Sequence, residues 1–147
     1  MRAELERQWP GAKFLGLQRG VDLAQTYASA DLFVFPSLTE TYGNVVPEAM
    51  ASGLALVAFD CAAASDLVQP GESGYLAACD NAMQFVELAC KAAESVQTCA
   101  TMGRHARTTV QAHGWDRIVS ELERLMLDVV DNHNPALRRL EWRPVMN

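Results

Sequence analysis

Two nearly continuous apolar runs limit what this chain can fold into more than any other feature. The first covers residues 32–36 and the second covers residues 54–59. Neither run alternates between polar and apolar residues, which is the pattern of strands that are covered on both faces in a parallel sheet. The chain is therefore predicted to contain a parallel β-sheet packed between helices.

Helical patterns alternate with strands along the chain. Short strands are also predicted at residues 13–16 and 74–76, which makes about four strands in all. The helical patterns cover residues 2–8, 21–29, 45–52, 63–68, 81–95, 96–112 and 115–131. Because β-α-β crossovers place helices over both faces of a sheet, the alternation predicts an α/β fold with a partial Rossmann-like parallel sheet.

The predicted domain organisation is one incomplete unit over residues 1–132, followed by a tail over residues 133–147. An open doubly wound sheet usually has about five or six strands. Since this chain starts inside a helical pattern, we expect the first β-α units of the domain to be absent. The last helical pattern begins at Trp115, for which core anchoring is favoured over ligand stacking. It also carries an apolar stripe of Leu122, Leu125, Met126 and Val129.

Charge and composition exclude several classes of partner. The chain has 12 Lys and Arg against 18 Asp and Glu, a net charge of -6 that disfavours nucleic acid. Its four cysteines form no C-x-x-C pair, so no metal site is predicted and a reducing compartment is favoured. The charged N-terminus is unlike a signal peptide, and no run of about 18 apolar residues follows. We expect a cytoplasmic protein without a transmembrane segment, and peripheral attachment to the inner face of the membrane stays open.

The segment over residues 36–53 lies where α/β proteins bind ligands. It leaves the carboxyl end of the strand at 32–36 and enters a short helix, and ligands of open α/β sheets bind outside these strand ends. Gly43 lets a ligand approach the backbone closely, and unpaired N–H groups of about residues 44–46 are predicted to point out of the helix start. This predicts an anion site for a diphosphate that needs no metal ion, and the sequence has no D-x-D motif.

Two glutamates flank that helix start. Glu48 is the only charge between Val45 and Ala51, so burying it unpaired would cost several kcal/mol. Ribose hydroxyls are good donors to such a carboxylate, and Glu40 on the preceding loop could accept hydroxyls of a sugar ring. The alternative is that Glu48 belongs to a hydrogen-bond box at the helix start and Glu40 is merely solvated.

The whole stretch resembles the signature of family 4 of the retaining glycosyltransferases, enzymes of the two-Rossmann-domain GT-B fold. Glu40 and Glu48 are separated by seven residues, as in that signature, and the similarity continues over residues 27–37 and 48–54. It covers residues 12 to about 118. The resemblance identifies the chain as the C-terminal, donor-binding domain of such an enzyme, truncated at its N-terminus.

The resemblance also implies roles for single residues. Glu40 would be the catalytic-site residue that contacts the donor sugar hydroxyls, Glu48 would hold the ribose, and Gln18 belongs to a segment whose backbone reads the nucleobase. Backbone N–H groups for the sugar and diphosphate would come from Tyr42, Gly43, Asn44 and Val45. No cofactor is implied, and the donor substrate would be a UDP-sugar or a GDP-sugar.

Other features separate this chain from a complete enzyme of the family. The Arg and Lys that neutralise the leaving diphosphate precede the matched region, and the acceptor-binding domain has no counterpart here. Residues 59–64 differ from the usual glycine-rich loop. Since losing one group that stabilises developing charge typically costs about 2.7–4 kcal/mol, the chain alone is expected to be inactive. The alternative is a non-catalytic module or fragment that needs a partner chain with the acceptor domain, or that self-associates through an exposed sheet edge.

Overall fold

The computed structural model describes residues 2–133. Its elements are, in chain order, α1 (Arg2–Gln8), α2 (Gly20–Ala28), β1 (Leu32–Phe35), α3 (Val45–Ala51), β2 (Ala55–Phe59), α4 (Ala62–Leu67), β3 (Gly74–Ala77), α5 (Ala82–Ala93), α6 (Val96–Gln111) and α7 (Trp115–His133). Every predicted helix is present, with ends within two residues of those expected. The predicted tail at 133–147 lies outside the described residues, apart from His133.

The sheet consists of three parallel strands in the order β1-β2-β3. Val34 of β1 pairs with Val57 of β2, which in turn pairs with Tyr75 of β3. All of β2 is buried, as its apolar run predicts for a strand covered on both faces. The predicted α/β class, a partial Rossmann-like sheet between helices, is confirmed.

Two details of the predicted sheet are wrong. Residues 13–16 form an irregular and mostly exposed segment instead of a strand. In addition, β1 is only half-buried, and the Val34 side chain is 43% exposed. The reason is that β1 lies at an edge of the three-stranded sheet, where only β2 pairs with it. The apolar run identified the strand but not its place in the sheet.

Helices cover both faces of β2. On one face, Leu56 and Ala58 contact a cluster to which α3, α4 and α6 contribute Val46, Met50, Leu67 and Ala106. On the other face, Val57 and Phe59 pack with Phe85 of α5. Fully burying an aliphatic side chain of this size contributes about 1.5–3 kcal/mol. These contacts therefore hold α3 and α4, the two helices nearest the candidate site, firmly against the central strand.

Gly103 allows α6 to pack directly on the connection between α3 and β2. A Cβ atom at this position would lie 1.9 Å from the carbonyl oxygen of Gly53. Gly53 itself ends α3 in the left-handed conformation, with φ of 81°. The two glycines thus bring backbone to backbone where no side chain would fit.

Helix α7 lies outside the core clusters. Its predicted apolar stripe, Leu122, Leu125, Met126 and Val129, is at least half exposed, and Trp115 is 79% exposed. Trp115 was expected to anchor the core, and that prediction is wrong because α5 and α6 already cover the sheet. No helix within residues 2–133 combines the length and apolarity needed to cross a bilayer.

Candidate functional site

The candidate site lies at the carboxyl edge of the sheet, where the parallel strands β1 and β2 end side by side. The loop over residues 36–44 follows β1, and residues 60–61 lead from β2 into α4. A cavity of about 10 Å³ between them is lined by Phe35, Ser37, Glu40, Tyr42, Val46, Phe59, Cys61, Ala62, Ala63 and Ala64. This volume holds about one water molecule, so any larger ligand would bind across its mouth.

Glu40 lines this cavity and remains exposed. Its Oε1 atom accepts a hydrogen bond of 2.9 Å from the hydroxyl of Ser37. Gly43 lies next to the same side chain, since a Cβ atom at Gly43 would lie 3.6 Å from the Cβ and Cγ of Glu40. The φ angle of Gly43 is 88°. The space alone would admit a methyl group, so it is the left-handed backbone that requires glycine. Ser37 was not predicted from the sequence.

Glu48 is exposed on the outer side of α3, so the cost of burying it unpaired does not arise. The buried face of α3 consists of Val46, Ala49 and Met50, and position 48 points away from it. The desolvation argument for Glu48 therefore fails. What the structure shows instead is a hydrogen bond of 3.2 Å from the Tyr27 hydroxyl to Glu48 Oε2.

Tyr27 ties α2 to the candidate site and was not predicted to do so. Its ring packs edge-on against Phe33 of β1, with centroids 5.8 Å apart. Burial raises the pKa of Tyr27, and the negative charge of Glu48 together with the hydrogen bond to it raises the pKa further. This role was missed because a contact across 21 residues leaves no local signal in the sequence.

The start of α3 offers fewer free amides than predicted. The N–H of Val46 already donates to the Gly43 carbonyl at 3.0 Å. In the part of the chain that the structure describes, the amides of Asn44 and Val45 have no acceptor. They lie beside Gly43 and are therefore the two donors that an anion could reach.

The loop after β1 is fastened to α4 by its backbone. The carbonyl of Tyr42 accepts a hydrogen bond of 2.8 Å from the N–H of Ala63, while about half of the Tyr42 side chain is exposed. The preceding residue, Ala62, has φ of 48°, which costs an L-residue roughly 1–2 kcal/mol. The turn from β2 into α4 is thus strained where it meets the candidate site.

Cys61 lies in that turn and lines the cavity with Glu40. Its thiol lies 3.8 Å from the carbonyl oxygen of Ser37. Burial raises the pKa of Cys61, and the neighbouring Cys79, Asp60 and Glu40 raise it further. In the sequence, residues 59–64 were noted only because they differ from a family pattern. The position of Cys61 in the lining of the cavity was therefore not predicted.

Gln18 stands apart from these residues. Its side-chain amide donates to the Leu15 carbonyl at 2.7 Å, which folds the side chain back on its own loop. Among the predicted residues, Glu40 and Tyr42 line the cavity and Gly43 lies beside Glu40. Asn44 and Val45 follow Gly43 in the chain, and Glu48 does not line the cavity. No hydrogen bond in residues 2–133 joins Gln18 to either glutamate.

A larger depression of about 330 Å³ lies on another side of the molecule. It is lined by the turn at Gly71 and Glu72 and by one face of α6, including Met102 and His105. The turn precedes β3, so this depression lies toward the amino ends of the strands. Ligands of open α/β sheets bind at the opposite edge, which favours the site around Glu40.

Fold and site together define an α/β domain with a Rossmann-like parallel sheet and an acidic loop at the carboxyl edge. The chain belongs to the family described as glycosyl transferases group 1, whose model matches residues 1–95. The family predicted from the glutamate spacing and its flanks is thereby confirmed.

Individual relatives support the same assignment. The chain is 38% identical over 123 residues to a GDP-mannose-dependent alpha-mannosyltransferase of Mycolicibacterium smegmatis, covering 82% of this chain and 32% of that protein. Sucrose-phosphate synthase from Thermosynechococcus elongatus superposes with a TM-score of 0.74 at 25% identity, over 89% of this chain and 34% of the other. Anabaena HepE in complex with UDP gives a TM-score of 0.70 at 25% identity, over 87% and 36%. The chain thus spans about a third of the length of these proteins.

Proposed function

We propose that the chain binds a nucleoside diphosphate sugar at the carboxyl edge of its sheet and forms the donor-binding half of a retaining hexosyltransferase. The observation that carries this proposal is the position of Glu40 and Glu48 on the loop and helix after β1. Each carboxylate is exposed and accepts one hydrogen bond from the described residues. Since an ionised carboxylate can accept about four, both retain capacity for ligand hydroxyls.

Each part of the donor has a complementary group in this arrangement. Glu40 accepts hydroxyls of the sugar, and the amides of Asn44 and Val45 donate to the diphosphate without a metal ion. Glu48 accepts the ribose hydroxyls through the oxygen that Tyr27 leaves free. Gln18, together with its neighbouring backbone, lies toward the base.

The proposed reaction breaks the bond between the anomeric carbon and the diphosphate oxygen. The acceptor hydroxyl forms its new bond on the same face of the sugar, and its proton passes to the departing diphosphate. The chain spans about a third of its relatives, so the acceptor-binding residues and the cations for the leaving diphosphate are proposed to come from outside these 147 residues. The role of this chain is accordingly to hold and orient the donor.

Two nucleotide classes are candidates for the donor. One relative is named as GDP-mannose-dependent, and one structural neighbour was solved with UDP. Both nucleotides contain the ribose and diphosphate that Glu48 and the α3 amides would bind. These residues therefore recognise the part common to both donors and do not discriminate between the two bases.

Isothermal titration calorimetry with GDP-mannose and with UDP-glucose tests the proposal. We expect one of them to bind and Glu48→Gln to weaken binding about ten- to a hundredfold, because a hydrogen bond to a charged group contributes about 1.5–3 kcal/mol. Glu87→Gln, on an exposed position of α5, is the matched control and should bind like the wild type. Equal affinity of both variants would refute the role of Glu48.

A second candidate function is an interaction module that is completed by a partner chain. The supporting observation is the exposed apolar surface of α7 and the half-buried edge strand β1. Multi-angle light scattering would show stable dimers or larger species if a second copy were that partner. A monodisperse monomer that binds nucleotide sugar would favour the donor-binding function alone.

A further inference from the structure

The ends of β2 and β3 bring two cysteines together beside the candidate site. Phe59 and Ala77 are paired across these strands, and both face the cluster around Phe85. Cys61 and Cys79 follow two residues later, just beyond the ends of these strands. The Cys61 side chain packs against that same cluster.

The contacts of Cys79 place it beside the turn that contains Cys61. Cys79 is one of the neighbouring groups that raise the pKa of Cys61. The Cys79 thiol also donates to the carbonyl of Asp60 at 3.2 Å, which draws it toward the turn after β2. Neighbouring strands, such as β2 and β3 where Phe59 pairs with Ala77, lie about 4.8 Å apart. Disulfides span about 4.4–6.8 Å between Cα atoms.

The surroundings favour a thiol pair over a metal site. In the described chain, no third His, Cys, Asp or Glu joins the two thiols in a group that could hold a metal ion. Cys79 is exposed and Cys61 partly buried, so an oxidant in solution meets Cys79 first. Cys99 lies on the buried face of α6 and packs with Ala55 at the start of β2, away from this edge of the sheet.

We infer that Cys61 and Cys79 are a redox-active pair that closes a disulfide between the ends of β2 and β3. The oxidant required is a small-molecule disulfide such as glutathione disulfide. The Cys79 thiolate attacks one of its sulfurs, forms a mixed disulfide and releases one glutathione. The Cys61 thiolate then attacks the Cys79 sulfur, forms the intramolecular bond and releases the second glutathione, so that two protein thiols are oxidised and one small disulfide is reduced.

Closure of this disulfide changes the wall of the candidate site. Cys61 lines the cavity with Glu40, and its thiol faces the carbonyl of Ser37, the residue whose hydroxyl holds Glu40. Drawing the Cys61 sulfur toward Cys79 removes that contact. The consequence for ligands rests on the proposed function: the oxidised chain holds the donor sugar less tightly than the reduced chain.

The pair can be tested in the Cys90→Ser variant, which removes the other exposed thiol. After incubation with glutathione disulfide, we expect the protein to lose two of its three thiols and two hydrogens of mass, without a glutathione adduct. Peptide mapping should join Cys61 to Cys79. With Cys79→Ser added as the control, Cys61 should remain free.

A stable glutathione adduct on Cys79 with Cys61 still reduced would overturn the inference. Calorimetry on the oxidised and reduced Cys90→Ser protein then tests the consequence, with weaker sugar-nucleotide binding expected after oxidation and recovery expected with dithiothreitol. Unchanged affinity would overturn the effect on the site and leave the disulfide standing. Absence of binding in both forms would refute the proposed function, and the mass measurement would still decide on the disulfide.

Discussion

Replacing Gly103 with alanine tests whether α6 packs on the backbone as closely as described. The added Cβ would lie 1.9 Å from the Gly53 oxygen, and separations below 3.0 Å essentially never occur. The helix must therefore move by at least about 1.1 Å, the difference between these two distances. Since the obstacle is backbone and not the end of a flexible side chain, no rotamer change relieves the contact.

The expected loss of stability follows from two opposing effects. Overpacking a core typically costs about 1–3 kcal/mol, and a rigid backbone obstacle favours the upper part of that range. Alanine in a helix gains about 1 kcal/mol over glycine. The free energy of unfolding should fall by about 2 kcal/mol, which lowers the urea midpoint by about 1 M at a slope of about 2 kcal/mol per M.

Urea unfolding followed by circular dichroism measures this change. The exposed Arg107 on the same helix supplies the reference, because Arg107→Ala and Arg107→Gly differ mainly in helix propensity. The difference in free energy of unfolding between the two Arg107 variants gives the gain expected from helix propensity alone. If Gly103→Ala stabilised the protein by that same amount, the close packing of α6 on Gly53 would be refuted.

Three further predictions concern single contacts. Glu48→Gln should lower the pKa of Tyr27, because it removes the charge that helps to raise it, and ultraviolet titration with Tyr27→Phe as the reference would show no change if the contact were absent. Ala62→Gly should raise the free energy of unfolding by up to about 1 kcal/mol, because glycine adopts the left-handed backbone of this position without strain. A lower urea midpoint than that of the wild type would contradict this. Asn81→Ala should cost about 1 kcal/mol, because its side chain caps α5 by accepting from the N–H of Gln84, and an unchanged midpoint would count against that cap.

Features with a local signal were predictable from the sequence. The apolar run of β2 and the helical pattern of α3 each depend on neighbouring residues, and each is present. The loop after β1 was likewise placed correctly at the carboxyl edge of the sheet. These elements define the α/β fold and the position of the candidate site.

Features that depend on contacts between distant segments were not predictable. The hydropathy of α3 raised the cost of burying Glu48, but its exposure depends on which helical face meets the sheet. Its partner Tyr27 reaches it from another helix. The approach of Cys79 to the turn that contains Cys61, where its thiol donates to the Asp60 carbonyl, arises from the register of β2 and β3. Trp115 is as apolar as a core residue, yet its helix lies outside the core.

Backbone amide NMR during titration with GDP-mannose or UDP-glucose tests the central claim most directly. We predict saturable shifts concentrated at Gly43, Asn44 and Val45, because a diphosphate held by the free amides of α3 must change their magnetic environment. Shifts confined to the turn at Gly71 and the facing side of α6, with the α3 amides unmoved, would contradict a donor site at the carboxyl edge of this sheet.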